Sequence, residues 1–554
     1  MAPSLTTAAA VPAPAAPVVH LNLQDGTLMP ESPSESVKDV FTPVDEKHDI
    51  EISEDDRLTA YIDKDGAQVL VTWTRAEQRR VVRKADFLFL PIFTALFFWF
   101  GLDRSNISGV LTTSFLKDTG LTRDQANNGT SLLWLGIVLL EIPSNVVLHR
   151  IGAHWWIPVQ VILWGLAEVL HSQIKGVGGY YTARLFLGLL ESGFLPGSLY
   201  TLSRWYSRGE LAKRSVIFFY GNTLSAAFGS LLYAGCLRID NHLGVKAWQW
   251  IFIICGVSTI TAGLAALLLI PSSPRKTAGR IRGKGWLSER EADIFLARLV
   301  LDDPLQGHPS TMKIRWSDIK GVLGDWRLWP HLIICLSGLQ ATASLNTWGA
   351  TIIKSLGFTA IRANLLNVPP SILSMILTLP VAALVDRYRK YGYAVLLSST
   401  WAFTGLVALY NLPILQKASW SFYAAYVFTL SAPAWQPIHV TWVSLNAKTP
   451  QKRAISYAVY MGCSNLGSTY GAQVFRAKDA PQYRTAFAAC IALAAVWLTS
   501  VGLHTIQYAW SNKRLAKKQA AASAAAHSTS TDSLAGKEKV EGPEEPAKPF
   551  KFFY

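Results

Sequence analysis

The chain has 554 residues, half of them hydrophobic and only 16% charged, with a net charge of +15. Water-soluble domains carry about 25% charged residues, so this composition disfavours a soluble enzyme. The positive balance coexists with long uncharged stretches, which points to basic segments flanking membrane helices rather than to a nucleic-acid partner.

Residues 1–84 are rich in Ala, Pro, Ser and acidic residues over most of their length. The apolar run near the start is interrupted by proline and has no basic residue before it, so it does not read as a signal peptide. A disordered cytoplasmic tail is expected there. Twelve apolar windows follow, at 87–110, 130–148, 156–171, 181–200, 216–237, 250–270, 328–353, 365–385, 394–410, 420–445, 455–475 and 485–510. Each is near the ~20 residues that cross a hydrocarbon core. The expected fold class is an all-α membrane protein, with twelve transmembrane helices arranged as two six-helix bundles. The N-terminal bundle spans 85–270, a cytoplasmic central loop 271–327, the C-terminal bundle 328–510, and a second disordered cytoplasmic tail 511–554.

Orientation follows from the basic flanks. Arg75, Arg79, Arg80, Arg83 and Lys84 precede the first window, Arg275, Lys276, Arg280, Arg282 and Lys284 lie in the central loop, and Lys513, Arg514, Lys517 and Lys518 follow the last. With an even number of spans all three segments share one side, which the positive-inside rule makes cytoplasmic. Within the central loop, Ser288 and Glu291 have capping-box spacing, and Ile294, Phe295 and Leu299 share one face. That pattern predicts a short amphipathic helix, lying on the membrane surface or solvated.

The two halves carry a trace of duplication. Pro143 stands seven residues before Arg150 at the end of the second window, and Pro380 seven before Arg387 at the end of the eighth. Parallel halves of this kind mark a transporter built from repeats. Arg150, Gly152, Asp386 and Arg387 are the expected gating-loop residues.

These loops carry a family resemblance. Asp386-Arg387-Tyr388-Arg389-Lys390 resembles the loop signature of the major facilitator superfamily, and His149-Arg150-Ile151-Gly152 keeps its Arg and Gly without the acidic residue. Asp103-Arg104-Ser105-Asn106-Ile107, Glu141-Ile142-Pro143-Ser144-Asn145 and Ala183-Arg184-Leu185-Phe186-Leu187-Gly188 resemble the anion:cation symporter family, in its fungal allantoate permease-like branch. The resemblance covers roughly 86–510. It implies proton coupling at Asp103 and Glu191, anion recognition at Arg104 and Arg184, and a contribution to the site from Asn465.

Physical chemistry marks the same residues independently. A charge at mid-bilayer costs at least ~2.5 kcal/mol, so it faces a cavity or a partner. Arg184 and Glu191 are seven residues apart, close to two turns, and therefore point the same way with about 10 Å between them. Arg104 and Arg184 are expected at similar depth, where two guanidinium forks would hold a carboxylate. The rival reading is a structural salt-bridge set holding two spans together. Glu141 is read as a cap or loop partner as readily as a site residue. Glu168 and His171, at i,i+3 spacing, suit a proton relay, but the favoured reading is that Glu168 pairs locally and His171 lies at the outer interface.

The C-terminal windows carry neutral groups instead, among them Gln340, Trp435, His439 and Asn465, with Asn222 a similar candidate in the fifth window. Amides and indoles suit the uncharged part of a substrate, although hydrogen bonding between helices explains any one of them equally well. His439 by itself reads as packing. Five cysteines without CxxC spacing and the lack of a nucleophile–base or metal constellation argue against an enzyme.

The sequence thus reads as a secondary active transporter, a proton-coupled symporter of a small organic anion such as a vitamin or ureido acid. No cofactor is expected beyond protons as the coupling ion. The expected partners are the anion and the lipid bilayer, with no nucleic acid, and the expected form is a monomer in the plasma membrane. A proton-antiport exporter of a secondary metabolite or drug is the rival mechanism, and a non-transporting nutrient sensor the rival class.

Overall fold

Apolar runs that cannot bond to water must satisfy every backbone group internally, and in this chain they do so as helices. The computed structural model describes residues 19–21, 56–62, 68–277, 285–302, 316–412, 419–447, 450–480 and 482–533. The chain divides into two compact units. One comprises Met1–Leu90, Leu202–Leu211 and Ile270–Thr311, and the other Pro91–Thr201, Ala212–Leu269 and Met312–Tyr554.

The larger unit holds the membrane helices. Spans 1 to 6 are Leu90–Val110, Arg123–Ile151, Ala153–Leu170, the broken helix Gly176–Glu191 with Phe194–Ser203, Arg208–Cys236, and Ala247–Leu269. Spans 7 to 9 are Leu328–Ser355, Ala360–Leu366 with Val368–Tyr388, and Tyr391–Asn411. Ten helices among the described residues are long and apolar enough to cross a bilayer, rather than the twelve expected. The other two windows are helical but depart from that pattern. Span 10 is broken into Ser419–Leu430 and Gln436–Leu445, and span 11, Pro450–Gly471, carries Lys452 and Arg453 near its start. Span 12 begins the helix Arg484–Ser533.

The two six-span halves are joined mainly at the ends that carry the 111–122 loop, here termed distal. Asn127 of span 2 donates to the Phe475 carbonyl at 2.7 Å and accepts from Trp348 Nε1 at 3.1 Å. Lys354 reaches the Thr112 carbonyl at 2.7 Å, Asn364 the Thr112 hydroxyl at 3.0 Å, and Arg123 bonds Tyr483. Beneath them, one buried apolar cluster includes Leu102, Phe115 and Tyr180 from the first half and Trp348, Tyr426 and Phe487 from the second. The structure is therefore closed on its distal side. Nearer mid-span, Asn465 of span 11 donates to Glu141 Oε2 of span 2 at 3.0 Å.

The smaller unit corrects the expectation for residues 1–84. Strands β1 (Val19–Leu21), β2 (Asp56–Ile62) and β3 (Gln68–Thr74) form an antiparallel sheet in the order β1-β3-β2. A helix, Arg75–Leu88, follows at once, started by a capping box between Thr74 and Glu77. The rest of the tail assigned to disorder, at 1–18, 22–55 and 63–67, lies outside the described residues. The second tail is corrected likewise over 511–533, where alanine-rich sequence of high helix propensity continues the last helix.

The central-loop helix forms with the expected capping box, over Glu289–Asp302. Its apolar face is neither solvated nor free for lipid. Ile294, Phe295 and Leu299 are buried within the smaller unit, and Phe295 meets Trp205 edge-on at 5.4 Å. Ion pairs ring this packing: Lys84–Glu291 at 2.7 Å, Arg290–Glu77 at 3.0 Å and Arg298–Glu210 at 2.6 Å. The helix is thus a docked bracket, because a tryptophan surface offers its apolar stripe more burial than an interface with water.

Candidate functional site

Close helix approach assembles the site. A Cβ on Gly188 of span 4 would run into the Leu133 carbonyl of span 2, and one on Gly165 of span 3 would meet the Gly256 carbonyl of span 6 at 3.1 Å. Small residues of this kind let helix backbones touch. The contacts bring polar groups from spans 1, 3, 4 and 6 to one place, and span 2 supplies its edge.

Asp103 is fully buried. Its Oδ2 accepts from Trp164 Nε1 at 3.1 Å and from Thr259 Oγ1 at 2.8 Å, while Oδ1 has no hydrogen-bond partner. Arg104, next in sequence, points elsewhere. Its Nε bonds Glu191 Oε2 at 2.8 Å, and its guanidinium lies 3.8 Å from the centre of the Phe100 ring and 4.7 Å from that of Trp134. The Arg104 side chain keeps 20% of its surface exposed, whereas Glu191 has none. This is the accessible edge of a buried charge cluster.

Arg184 is 1% exposed, with its guanidinium 5.5 Å from the Tyr180 ring one turn earlier. Its Nε and Nη2 are buried without hydrogen-bond partners. The expected level pair of arginines is therefore staggered. Arg104 descends to Glu191, while Arg184 leans back along its helix, as long helical side chains do. Glu168 and His171 differ from expectation too. Both are fully buried, and Glu168 bonds across to Asn106 of span 1 rather than locally. His171 Nδ1 meets the Ala167 carbonyl at 2.7 Å. Three buried carboxyl groups, Asp103, Glu168 and Glu191, thus stand around two guanidinium groups.

Span 4 breaks directly beside Glu191. Gly193 adopts φ +79°, a conformation that glycine reaches without strain, and the helix resumes at Phe194. Pro196 has no N–H to return to the Ser192 carbonyl. Gln160 Nε2 of span 3 fills that place at 2.7 Å. Ser192 Oγ donates to the Ile137 carbonyl at 2.6 Å. The break is braced by specific bonds, so Glu191 sits at a helix end held in one geometry.

The remaining candidates separate. Asn465 joins this region through Glu141, which also lies within electrostatic reach of Arg104. Asn222 is exposed, with Oδ1 against Gly101 of span 1. Trp435 and Gln340, expected among the substrate contacts, are both buried. Trp435 stacks obliquely on Trp497 at 4.7 Å over Gly338, and Gln340 is buried against span 11, donating to Ser468 at 3.3 Å. Their large side chains fill space that small neighbouring residues leave open. In the loops, Gly152 (φ +86°) terminates span 2 and Arg150 is exposed. Arg387 is exposed near Tyr388, and the side chain of Asp386 lies outside the described residues. Sequence reading missed Trp134, Trp164, Tyr180 and Thr259, neutral groups that show no anomaly until folding sets them against charges.

Among the described residues no group of three or more His, Cys, Asp and Glu is arranged to hold a metal ion. A family model described as Major Facilitator Superfamily matches residues 93–472. The chain is 30% identical over 419 residues to the MFS-type transporter cnsO of Penicillium expansum, covering 74% of this chain and 80% of that one. It is 26% identical to the major facilitator-type transporter hxnP of Emericella nidulans, over 81% of this chain and 89% of that one. Among solved structures, a D-xylose-proton symporter aligns with a TM-score of 0.57 at 14% identity, covering 76% of this chain and 97% of that one. A bacterial homolog of the human lysosomal transporter Spinster, inward-facing and unoccupied, aligns with 0.56 at 15% identity, covering 78% and 97%. These likenesses show an all-helical membrane fold.

Proposed function

The chain belongs to the Major Facilitator Superfamily, whose members are secondary transporters and not enzymes, and we propose that within it this protein couples protons to the uptake of a small organic anion. The observation that carries the reading is Arg184, a buried guanidinium with two nitrogens unbonded beside three buried carboxyl groups. A salt-bridge set built only for packing would close those bonds, because an unmet buried charge costs several kcal/mol. Charge balance supports the coupling. Three carboxyl groups against two guanidinium groups leave an excess negative charge in a low-dielectric interior, which a bound proton removes.

The mechanism follows from these groups. A substrate carboxylate approaching Arg104 competes with Glu191 for the guanidinium, and the released carboxyl group takes up a proton. Asp103, held by Trp164 and Thr259, carries a second exchangeable site. Asn222 and Asn465 offer amide contacts to the rest of the substrate, and Asn465 links the event to the opposite half through Glu141. Distal closure is the arrangement expected of a state that opens toward the terminal side, which the basic flanks assign to the cytoplasm. Arg150, Gly152, Asp386 and Arg387 serve as hinges of the loops on that side, and the protein acts in the plasma membrane. The residues shared with the allantoate permease-like branch favour ureido acids and vitamin carboxylates as substrates.

The test is uptake of labelled carboxylates, nicotinate and allantoate first, in a transporter-deficient yeast across external pH. Accumulation that grows with acidity and vanishes in Arg184→Ala supports the reading. Acid-driven efflux of a loaded compound without uptake would establish the exporter instead, and absence of any flux alongside altered growth signalling would establish a sensor.

A further inference from the structure

A second buried polar cluster lies wholly in the C-terminal half, and nothing in the anion site uses it. His331 of span 7, His439 of span 10 and His504 of span 12 are each at most 2% exposed. His504 Nε2 lies 2.9 Å from His331 Nε2, and His331 Nδ1 lies 2.9 Å from His439 Nε2. His439 Nδ1 is 3.1 Å from the Tyr460 hydroxyl of span 11, and His504 Nδ1 is 2.9 Å from Gln507 Oε1. Four helices thus contribute to one hydrogen-bonded line, which the Tyr508 hydroxyl joins at His331 Nε2. The rings do not converge on a point as metal ligands would; they are joined end to end.

With Gln507 Oε1 facing His504, the line runs in one direction. An amide oxygen only accepts, so His504 Nδ1 carries a hydrogen and its Nε2 accepts from His331 Nε2. His331 Nδ1 then accepts from His439 Nε2, and His439 Nδ1 accepts from the Tyr460 hydroxyl. All three neutral rings are satisfied by this single arrangement. Turning the Gln507 amide presents its Nε2, buried and without a partner, to His504 and supports the opposite polarity equally well. A structure with two mirrored hydrogen-bond orders is what proton hopping requires.

We propose that His504, His331 and His439 form a proton relay between the terminal side of the membrane and Tyr460. One proton entering at His439 Nδ1 drives its Nε2 hydrogen to His331 Nδ1, the His331 Nε2 hydrogen to His504 Nε2, and the His504 Nδ1 hydrogen out past Gln507. One proton enters and one leaves; the Gln507 amide then turns to donate to the bare His504 Nδ1, and turning of the three rings restores the starting order. At the entry end, the Tyr457 hydroxyl, one turn before Tyr460, lies within electrostatic reach of Glu141. At the exit end, Tyr508 sits 3.2 Å from His331 Nε2 and within electrostatic reach of Asp325 and Arg327. Cys335 of span 7 contacts the Tyr460 carbonyl, and span 9 brings Tyr391 into the surrounding cluster. The relay's use rests on the proton-coupled reading above, since it would deliver protons released near Glu141 to the cytoplasm.

The experiment records charge movement after a pH step in proteoliposomes of the full chain on a solid-supported membrane, with no substrate present. Wild type should show a proton current that His331→Phe and His331→Asn both slow by about 100-fold, the loss expected when a proton-transfer group is removed. Glu191→Gln should retain that component. If His331→Asn conducts like wild type, the ring is a packing residue and the relay is wrong. If Glu191→Gln alone abolishes all charge movement, the relay falls while proton coupling at the anion site stands. No current in wild type overturns both. Should the His331 variants fail to fold, nitrogen NMR of histidine-labelled wild type in bilayers decides: two N–H···N couplings support the relay and their absence overturns it.

Discussion

Two buried polar clusters, one in each six-span half, are completed in different ways. The first half buries formal charges and leaves several of their atoms unbonded: Asp103 Oδ1, Glu168 Oε2, Glu191 Oε1 and two nitrogens of Arg184. The second half buries neutral rings, and each nitrogen of His331, His439 and His504 has a hydrogen-bond partner. Unmet charge is costly in a protein interior and persists where a ligand or proton completes it. Satisfied neutral groups cost little and can serve packing or proton passage. On the function proposed above, the first cluster is the place that binds and the second a place that supports.

Four substitutions test that division, in descending order of effect. Trp435→Ala should lower stability by about 3–5 kcal/mol, the range for deleting a large buried aromatic, while leaving the apparent KM for a transported carboxylate unchanged. Thermal melts and uptake kinetics read the two quantities, and a raised KM would move the binding surface into the second half. Arg184→Ala should reduce uptake by about 100-fold, near 2.7 kcal/mol, as expected for truncating a buried hydrogen-bonding charge. Wild-type uptake in that variant would reduce the charged cluster to a brace. Glu191→Gln should flatten the pH response. Losing one coupled proton removes about tenfold accumulation per unit of pH gradient, measured as the steady-state ratio of labelled anion inside and out.

The smallest effect concerns the bracket helix of the smaller unit. Burial alone would raise the Glu291 carboxyl group, but bonds from the Lys84 ammonium and the Ser288 backbone hold it below its usual 4.5. A carboxyl group lowered on folding stabilises fully above its unfolded value, and that stabilisation is lost as pH falls through the folded one. The Lys84–Glu291 pair is partly exposed, so screening leaves about 0.5 kcal/mol. Melting of Glu291→Gln should differ slightly from wild type at neutral pH and converge with it below pH 4.5. A gap that persists in acid would show that the pair is not the cause.

Much of the fold was legible because membrane spans are written as composition. A run such as 247–269 excludes water whatever its neighbours, and helix formation follows. Span 10 was legible as an apolar window but not as two helices, since the break at Ser431–Trp435 depends on what packs there. The charged site was half legible. Asp103, Arg104, Arg184 and Glu191 stand out because charge is anomalous in an apolar run, and Asn465 was reachable through resemblance. Glu168 was misread because its partner, Asn106, is 62 positions away. The small sheet escaped notice because β1 pairs with β3 across a gap of 46 residues, counted from Leu21 to Gln68.

The sequence by itself determined that the chain lies in a membrane, that it has two comparable halves, and which few charges enter the apolar region. Those properties are local: hydropathy, spacing and charge act within a helix turn or two. Only the tertiary structure decided that Arg104 meets Glu191 while Arg184 keeps free donors, that Trp435 fills space beside Gly338, and that three distant histidines join end to end. Such pairings depend on which helix faces meet, and that is set by close packing among many side chains rather than by any one segment.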